Sequence, residues 1–176
     1  MTALNRTPLN TNALQPTKFL LTFDRIATTT YFCQSVNLPG ISVGQAPINY
    51  PSLDVYVPGN KLTYNNFNIS FMLDEQVASW RSLHDWFISF EAPAGTDERN
   101  RLTAFQNAGK TPGKPYYSDA TLTILNNLNN PVIRVQFTNI FPVSLSDIQF
   151  DTKQNADDIM YGDATFVYEQ FNFIPV

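Results

Sequence analysis

The chain has 176 residues, with 11 Lys and Arg against 15 Asp and Glu, for a formal net charge of −4. Charged residues fill only 15% of positions, against roughly 25% in ordinary soluble domains. Leu, Ile, Val and Phe take 50 positions, which excludes a disordered chain. At this length one domain with a real core is the default. Fourteen Phe, eight Tyr and two Trp are more aromatic surface than a lone monomer this poor in charge can cover, so part of it is expected to face a partner. No apolar run approaches the roughly 20 residues of a membrane helix, so no membrane anchor is expected. The N-terminus lacks an apolar core of the secretory type. The glycosylation-like triplets Asn5-Arg6-Thr7 and Asn68-Ile69-Ser70 carry little weight without one. A lone cysteine, Cys33, permits no internal disulfide and points to a reducing compartment. A pI near 4.8 without a basic cluster argues against gripping nucleic acid through phosphates.

In chain order, residues 1–16 are rich in Asn and Thr, lack periodicity and read as an extended arm. The remainder, 17–176, reads as a single β domain. Phe19, Leu21 and Phe23 alternate with Lys18, Thr22 and Asp24 in a first strand. A β-branched and aromatic run from Thr29 to Asn37 forms a second, stopped by Leu38-Pro39-Gly40. Residues 41–60 contain Pro47, Pro51 and Pro58 and read as a long loop, because proline cannot donate to a sheet ladder. The loop also carries Ile48, Tyr50, Leu53, Val55, Tyr56 and Val57, and these six are the expected inter-subunit contact.

A long strand is expected from about residue 61 to 73, with Phe67, Ile69, Phe71 and Leu73 inward and Asn66, Asn68 and Ser70 outward. Asp74 is the expected N-cap of a helix over about 75–90, whose stripe is Val77, Trp80, Leu83, Phe87 and Phe90. Residues 92–115 read as a connection with a short helical turn near 99–106. A hairpin follows, with Ala120, Leu122 and Ile124 opposing Ile133, Val135 and Phe137 across a turn at Asn126–Pro131. Its outward residues include Thr121, Thr123, Arg134, Gln136 and Thr138. Phe141-Pro142 is expected to interrupt the chain before a short strand containing Leu145, Ile148 and Phe150. The last strand, about 164–174, changes phase between Tyr168 and Phe171, which predicts a bulge near Glu169 or Gln170. The sum is mainly β, an antiparallel β-sandwich or partial barrel with one flanking helix.

Catalytic and cofactor chemistry finds little foothold. The stretch from Ala104 to Thr111 resembles a phosphate loop, but Ala104 stands where glycine is needed and Pro112 and Pro115 block the following helix. His84 is the only histidine and has no recognisable triad around it. Zinc would lack ligands. The doublets Asp74-Glu75, Asp97-Glu98 and Asp157-Asp158 do not face across a cleft as glycosidase carboxyls must. Asp151, Asn155 and Asp157 lack the turn glycine of a calcium loop, and Lys153 takes a ligand position. No enzyme, cofactor or metal is expected.

Three ordered segments carry a resemblance. They are Phe32-Cys-Gln-Ser-Val-Asn-Leu-Pro-Gly40 leading to Pro58-Gly59, then Tyr64 to Glu75 running into Trp80–Trp86, and finally Ser118-Asp119, Phe141 to Leu145 and Ala164 to Tyr168. Over roughly residues 17–173 the chain resembles the tail tube proteins of contractile-tailed bacteriophages, including the baseplate proteins that initiate the tube. The resemblance implies a virion structural protein assembled in the host cytoplasm. It implies subunits closing into a homo-hexameric β-barrel ring and rings stacking into a tube that passes genome DNA and the tape measure protein. Tail sheath and baseplate would be further partners. Under it, 41–60 would be the ring-stacking loop and the helix would pack outside the barrel. Asn66, Asn68, Ser70, Thr121, Thr123, Arg134, Gln136 and Thr138 would include lumen-facing positions; an ordinary solvated sheet face would leave the same pattern. A baseplate initiator, or the tube of a secretion system or tailocin, would share these features. A carbohydrate-binding β-sandwich is the reading from another class, with Tyr116-Tyr117 or Tyr50 and Tyr56 as its stacking aromatics.

Overall fold

The computed structural model describes residues 11–26, 32–90, 116–153, 155 and 157–175. Most of the arm, the expected helical turn near 99–106, the 104–111 stretch, Asp97-Glu98 and the Asn5 triplet lie outside the described residues. The elements are β1 (Phe19–Phe23), β2 (Cys33–Val36), β3 (Ile41–Tyr50), β4 (Leu53–Tyr64), β5 (Phe67–Met72), α1 (Ala78–Ile88), β6 (Ser118–Leu125), β7 (Pro131–Leu145), β8 (Tyr161–Val167) and β9 (Gln170–Pro175). All the strand pairings are antiparallel.

Strand β7 organises the molecule. Its first half lies between β6 and β9, and its second half pairs with β8. The path β1-β6-β7-β8-β5-β2 therefore wraps from one sheet into another and does not close within the monomer. The corner falls at Asn139, which adopts φ 53. Its backbone N–H donates to the Asp119 carboxylate at 3.0 Å and its side-chain amide to Glu169. Asparagine tolerates the left-handed region because its short polar group bonds locally.

The alternating residues of both sheets meet inside. Phe67 and Phe137 pack tilted at 4.6 Å between centroids, and Phe23 lies 5.2 Å from Phe166. These rings, with Leu21, Ile69, Phe71, Leu122, Val135 and Ile140, form one core. The helix lays Leu83 and Trp86 onto it, both fully buried. Trp86 also donates its indole N–H to the Tyr116 carbonyl at 3.0 Å, and Trp80 donates to Ser146 at 3.1 Å. One buried and one half-buried indole with satisfied N–H groups fix the helix against the sheets.

Several expectations are corrected. Residues 41–60 are not a loop: β3 and β4 form a two-stranded ribbon around Pro51-Ser52. Pro47 lies opposite Tyr56 and Pro58 opposite Gln45, positions of like parity, so both prolines can turn their N–H-less side away from the partner strand. The strand expected over 61–73 is broken at Asn65-Asn66, where the chain passes from ribbon to sheet and Asn65 N–H bonds the Gly40 carbonyl at 3.0 Å. The helix begins three residues later than expected, and Val77, at φ 53, occupies the N-cap. Asp74 still serves the helix start by accepting from the Ser79 N–H at 3.4 Å. Slight desolvation raises its pKa, but bonds from the backbone N–H groups of Ala78 and Ser79 outweigh that and hold the carboxyl below its usual range. Phe141-Pro142 does not interrupt β7, because that half of the strand is a sheet edge where proline is tolerated. Ile148 and Phe150 form no strand. The phase change near Glu169 is a change of sheet: β8 pairs the second half of β7 and β9 the first.

Candidate functional site

The surfaces available for assembly are built from the ribbon and the two outer sheet faces. Beyond its root the ribbon is exposed along both strands. Among the described residues only the root is held, where Tyr64 packs against Phe171 at 5.5 Å and Tyr168 at 5.7 Å. Cross-strand register fixes which side chains share a face, since directly opposed residues point the same way. Ala46 opposes Val57, Ile48 opposes Val55 and Tyr50 opposes Leu53, so one face of the ribbon is entirely apolar. The other face carries Gln45, Pro47, Asn49, Asp54, Tyr56 and Pro58. Five of the six expected contact residues thus share one face, and Tyr56 lies on the reverse. Leu53 is 70% exposed and Tyr50 59%. Ala46 completes the apolar face but is too small to stand out in the sequence. Near the root, Gly59 faces Gly44 across the register shift, and a Cβ at Gly59 would lie 2.7 Å from the Gly44 carbonyl oxygen.

The eight outward polar positions divide into two groups. Thr121 pairs with Gln136, Thr123 with Arg134, and Thr138 with Gln170. These five lie on the outer face of the sheet formed by β1, β6, the first half of β7 and β9, together with Thr22 and Asn172. Asn68 pairs with Thr165 and Ser70 with Asp163, on the outer face of the other sheet. Asn66 precedes that strand, and its carbonyl accepts from the Asn37 amide at 3.0 Å. The inward rings of the two sheets touch, so the two groups face opposite ways and only one of them can line a common channel.

The remaining candidates are scattered. His84 is stacked on Trp80 at 5.4 Å, with its Nδ1 3.6 Å from the Asp85 carboxylate. Burial pushes the Cys33 thiol up to about 11, far from the thiolate range of a nucleophile. Among the described residues no three His, Cys, Asp or Glu side chains gather as metal ligands. Tyr50 and Tyr56 point to opposite sides of the ribbon and make no shared sugar platform. Tyr117 is turned edge-on against Phe141 at 5.5 Å.

Comparison with known proteins agrees with the geometry. The family model described as phage tail tube protein matches residues 4–174. The chain is 27% identical over 174 residues to the tail tube terminator protein of Enterobacteria phage T4, covering 91% of this chain and 88% of that one. The fold is similar to the tube-terminating cap of the anti-feeding prophage, with TM-score 0.65, 13% identity and both chains fully covered. It is also similar to a chain of an extracellular contractile injection system sheath-tube complex, with TM-score 0.58, 15% identity and 94% of each chain covered. The chain belongs to the phage tail tube protein family, and it is a structural protein of the tail tube or of its terminator.

Proposed function

We propose that this protein closes into a homo-hexameric ring that stacks on the end of a phage tail tube and terminates it. The observation that carries this reading is the ribbon. Six apolar side chains share one face of a two-stranded hairpin that, among the described residues, nothing covers. A two-stranded ribbon is marginal alone, and exposed contiguous apolar surface marks an interaction site. The ribbon is therefore the element that grips the neighbouring copy or the ring beneath. The terminator, rather than the repeating subunit, is favoured by the T4 relative named for that role.

The sheet edges support closure. In the sheet β1-β6-β7-β9 the strands alternate in direction, so β9 of one copy runs antiparallel to β1 of the next and can continue the ladder. Ring closure removes both exposed edges. Its outer face, with Thr121, Thr123, Gln136, Thr138 and Asn172, the apolar Leu20 and Ile174, and the opposite charges of Arg134 and Asp119, is the wall proposed to face the lumen. A nearly uncharged wall lets DNA and the tape measure protein pass without the phosphate contacts that would hold them. The opposite face, with Asn68 and Ser70, and the flanking helix would then look toward the sheath. Assembly in the host cytoplasm and contact with the baseplate belong to the same reading. Electron microscopy of the purified protein tests it. Single rings that cap tubes of the tube subunit are expected; indefinite self-stacking would make it the subunit, and monomers alone would defeat both.

A further inference from the structure

The ribbon stands on a narrow base. Every residue of β3 and β4 is exposed except Gly59 and Tyr64. Two short connections join it to the body, 37–40 after β2 and 65–66 before β5. Among the described residues no third strand pairs with β3 or β4. An isolated pair of strands twists strongly and is marginal by itself, so the pair alone does not hold a direction. Direction matters because the apolar face lies far from the base. From Tyr64 to Leu53 the strand runs roughly 35 Å at about 3.3 Å per residue, so a swing of about 10° at the base carries the tip about 6 Å sideways. A contact that needs heavy atoms within about 4 Å tolerates no such shift.

One side chain bridges the base to the body. Tyr64, the last residue of β4, sets its ring 5.5 Å from Phe171, edge-on, and 5.7 Å from Tyr168, tilted. Both of those rings belong to the core, and each packs in turn on Phe137, at 5.8 and 5.1 Å. The Tyr168 hydroxyl donates to the carbonyl of Asn65, the residue after Tyr64, at 3.0 Å. The Asn65 N–H donates to the Gly40 carbonyl on the other connection, also at 3.0 Å. The two connections and the core are therefore clamped at one point, and no other side chain of the ribbon is even partly buried. Phe171 lies on β9, the free edge that the ring reading brings to β1 of the next copy. The ring that holds the ribbon thus also sets its angle to that edge.

We propose that Tyr64 is a positioning residue for assembly: its ring locks the direction of the ribbon relative to the β9 edge, so that one copy presents both contacts at the fixed angle a stacked ring requires. The proposal rests on the ring reading above. A ribbon already held in its docking direction avoids the ordering cost that association otherwise carries. Freed at the base, a ribbon that points correctly about one time in ten binds about tenfold more weakly. Pulsed electron spin resonance between nitroxides at Ser52→Cys and Arg134→Cys, in a full-length Cys33→Ser chain kept dilute, reads the spread of ribbon directions. The first half of β7 is paired on both sides and gives a fixed reference. Sedimentation velocity of unlabelled protein reads assembly. The labelled parent should give one narrow distance distribution. Tyr64→Ala should broaden it and weaken assembly at least about tenfold, whereas Tyr64→Phe, which keeps the ring, should match the parent in both. Tyr64→Leu carries the same expectations should Tyr64→Ala fail to fold. A broad distribution in the parent, a narrow one in Tyr64→Ala, undiminished assembly by Tyr64→Ala, or a defect in Tyr64→Phe equal to that of Tyr64→Ala overturns the joint. If Ser at Tyr50, Leu53 and Val55 leaves assembly intact, the ribbon is no interface and the role of Tyr64 falls with it. If those changes abolish assembly and Tyr64→Ala does not, the joint alone is overturned.

Discussion

Replacing Tyr50, Leu53 and Val55 together with Ser strips most of the apolar face of the ribbon. The three are 59%, 70% and 42% exposed and are not members of the core cluster among the described residues. A whole large side chain presents roughly 150–250 Å², so the exposed parts sum to roughly 300 Å². At about 25 cal/mol per Å², covering that area is worth up to ~7 kcal/mol per contact. Association costs absorb part of such a gain, which leaves an expected loss of about 2–4 kcal/mol, or roughly 30- to 1,000-fold in affinity. The monomer should melt within about 0.5 kcal/mol of wild type, since the changes are on the surface. Sedimentation velocity across a concentration series reads the first quantity and thermal unfolding of dilute protein the second. Unimpaired assembly would refute the assignment of the ribbon as an interface. A monomer destabilised by more than about 2 kcal/mol would refute the claim that the ribbon stands clear of the fold.

Other consequences concern the body of the protein. Gly162 lies opposite Phe71, and a Cβ there would sit 3.0 Å from the ring. Gly162→Ala should cost about 1–3 kcal/mol by overpacking, measured by urea unfolding. Trp86→Ala removes a fully buried ring and its bond to Tyr116; a loss of about 3–5 kcal/mol is expected by the same measurement. The Tyr168 phenol, which donates to the Asn65 carbonyl at 3.0 Å, is pushed up to about 12 by burial and by Tyr64. A group whose folded pKa is raised contributes stability that is fully present below its ordinary value near 10 and is lost as pH rises toward 12. Stability should fall across that window, and Tyr168→Phe should flatten the fall; an unchanged alkaline profile would refute the assignment.

The alternation of apolar residues located most of the strands, because a residue facing a packed interior must be apolar whichever partner it meets. Leu21 and Phe23, Phe67, Ile69 and Phe71, and Leu122 with Val135 and Phe137 are all buried as their spacing predicts. The helix was legible through Leu83, but the spacing passed over Trp86, which is fully buried, in favour of Phe87, which is only partly so. Its start was not, because the turn from Asp74 to Val77 depends on a left-handed residue that β-branched valine rarely adopts. The ribbon was misread as a loop because three prolines speak against a central strand and say nothing about a free two-stranded one.

By itself the sequence determined that the chain is a mainly β domain with one packed helix, and that residues 41–60 expose more apolar surface than a monomer can use. Period and composition carry that information because burial acts on each residue separately. Only the tertiary structure decided which outward residues stand together. Register places Ala46, Ile48, Tyr50, Leu53, Val55 and Val57 on one face and turns Tyr56 away. The corner in β7 likewise sends Thr121 and Gln136 to one side of the sandwich and Asn68 and Ser70 to the other. Pairing between distant strands sets those relations, and outward polar residues obey no inward constraint that would write their partners into the local sequence.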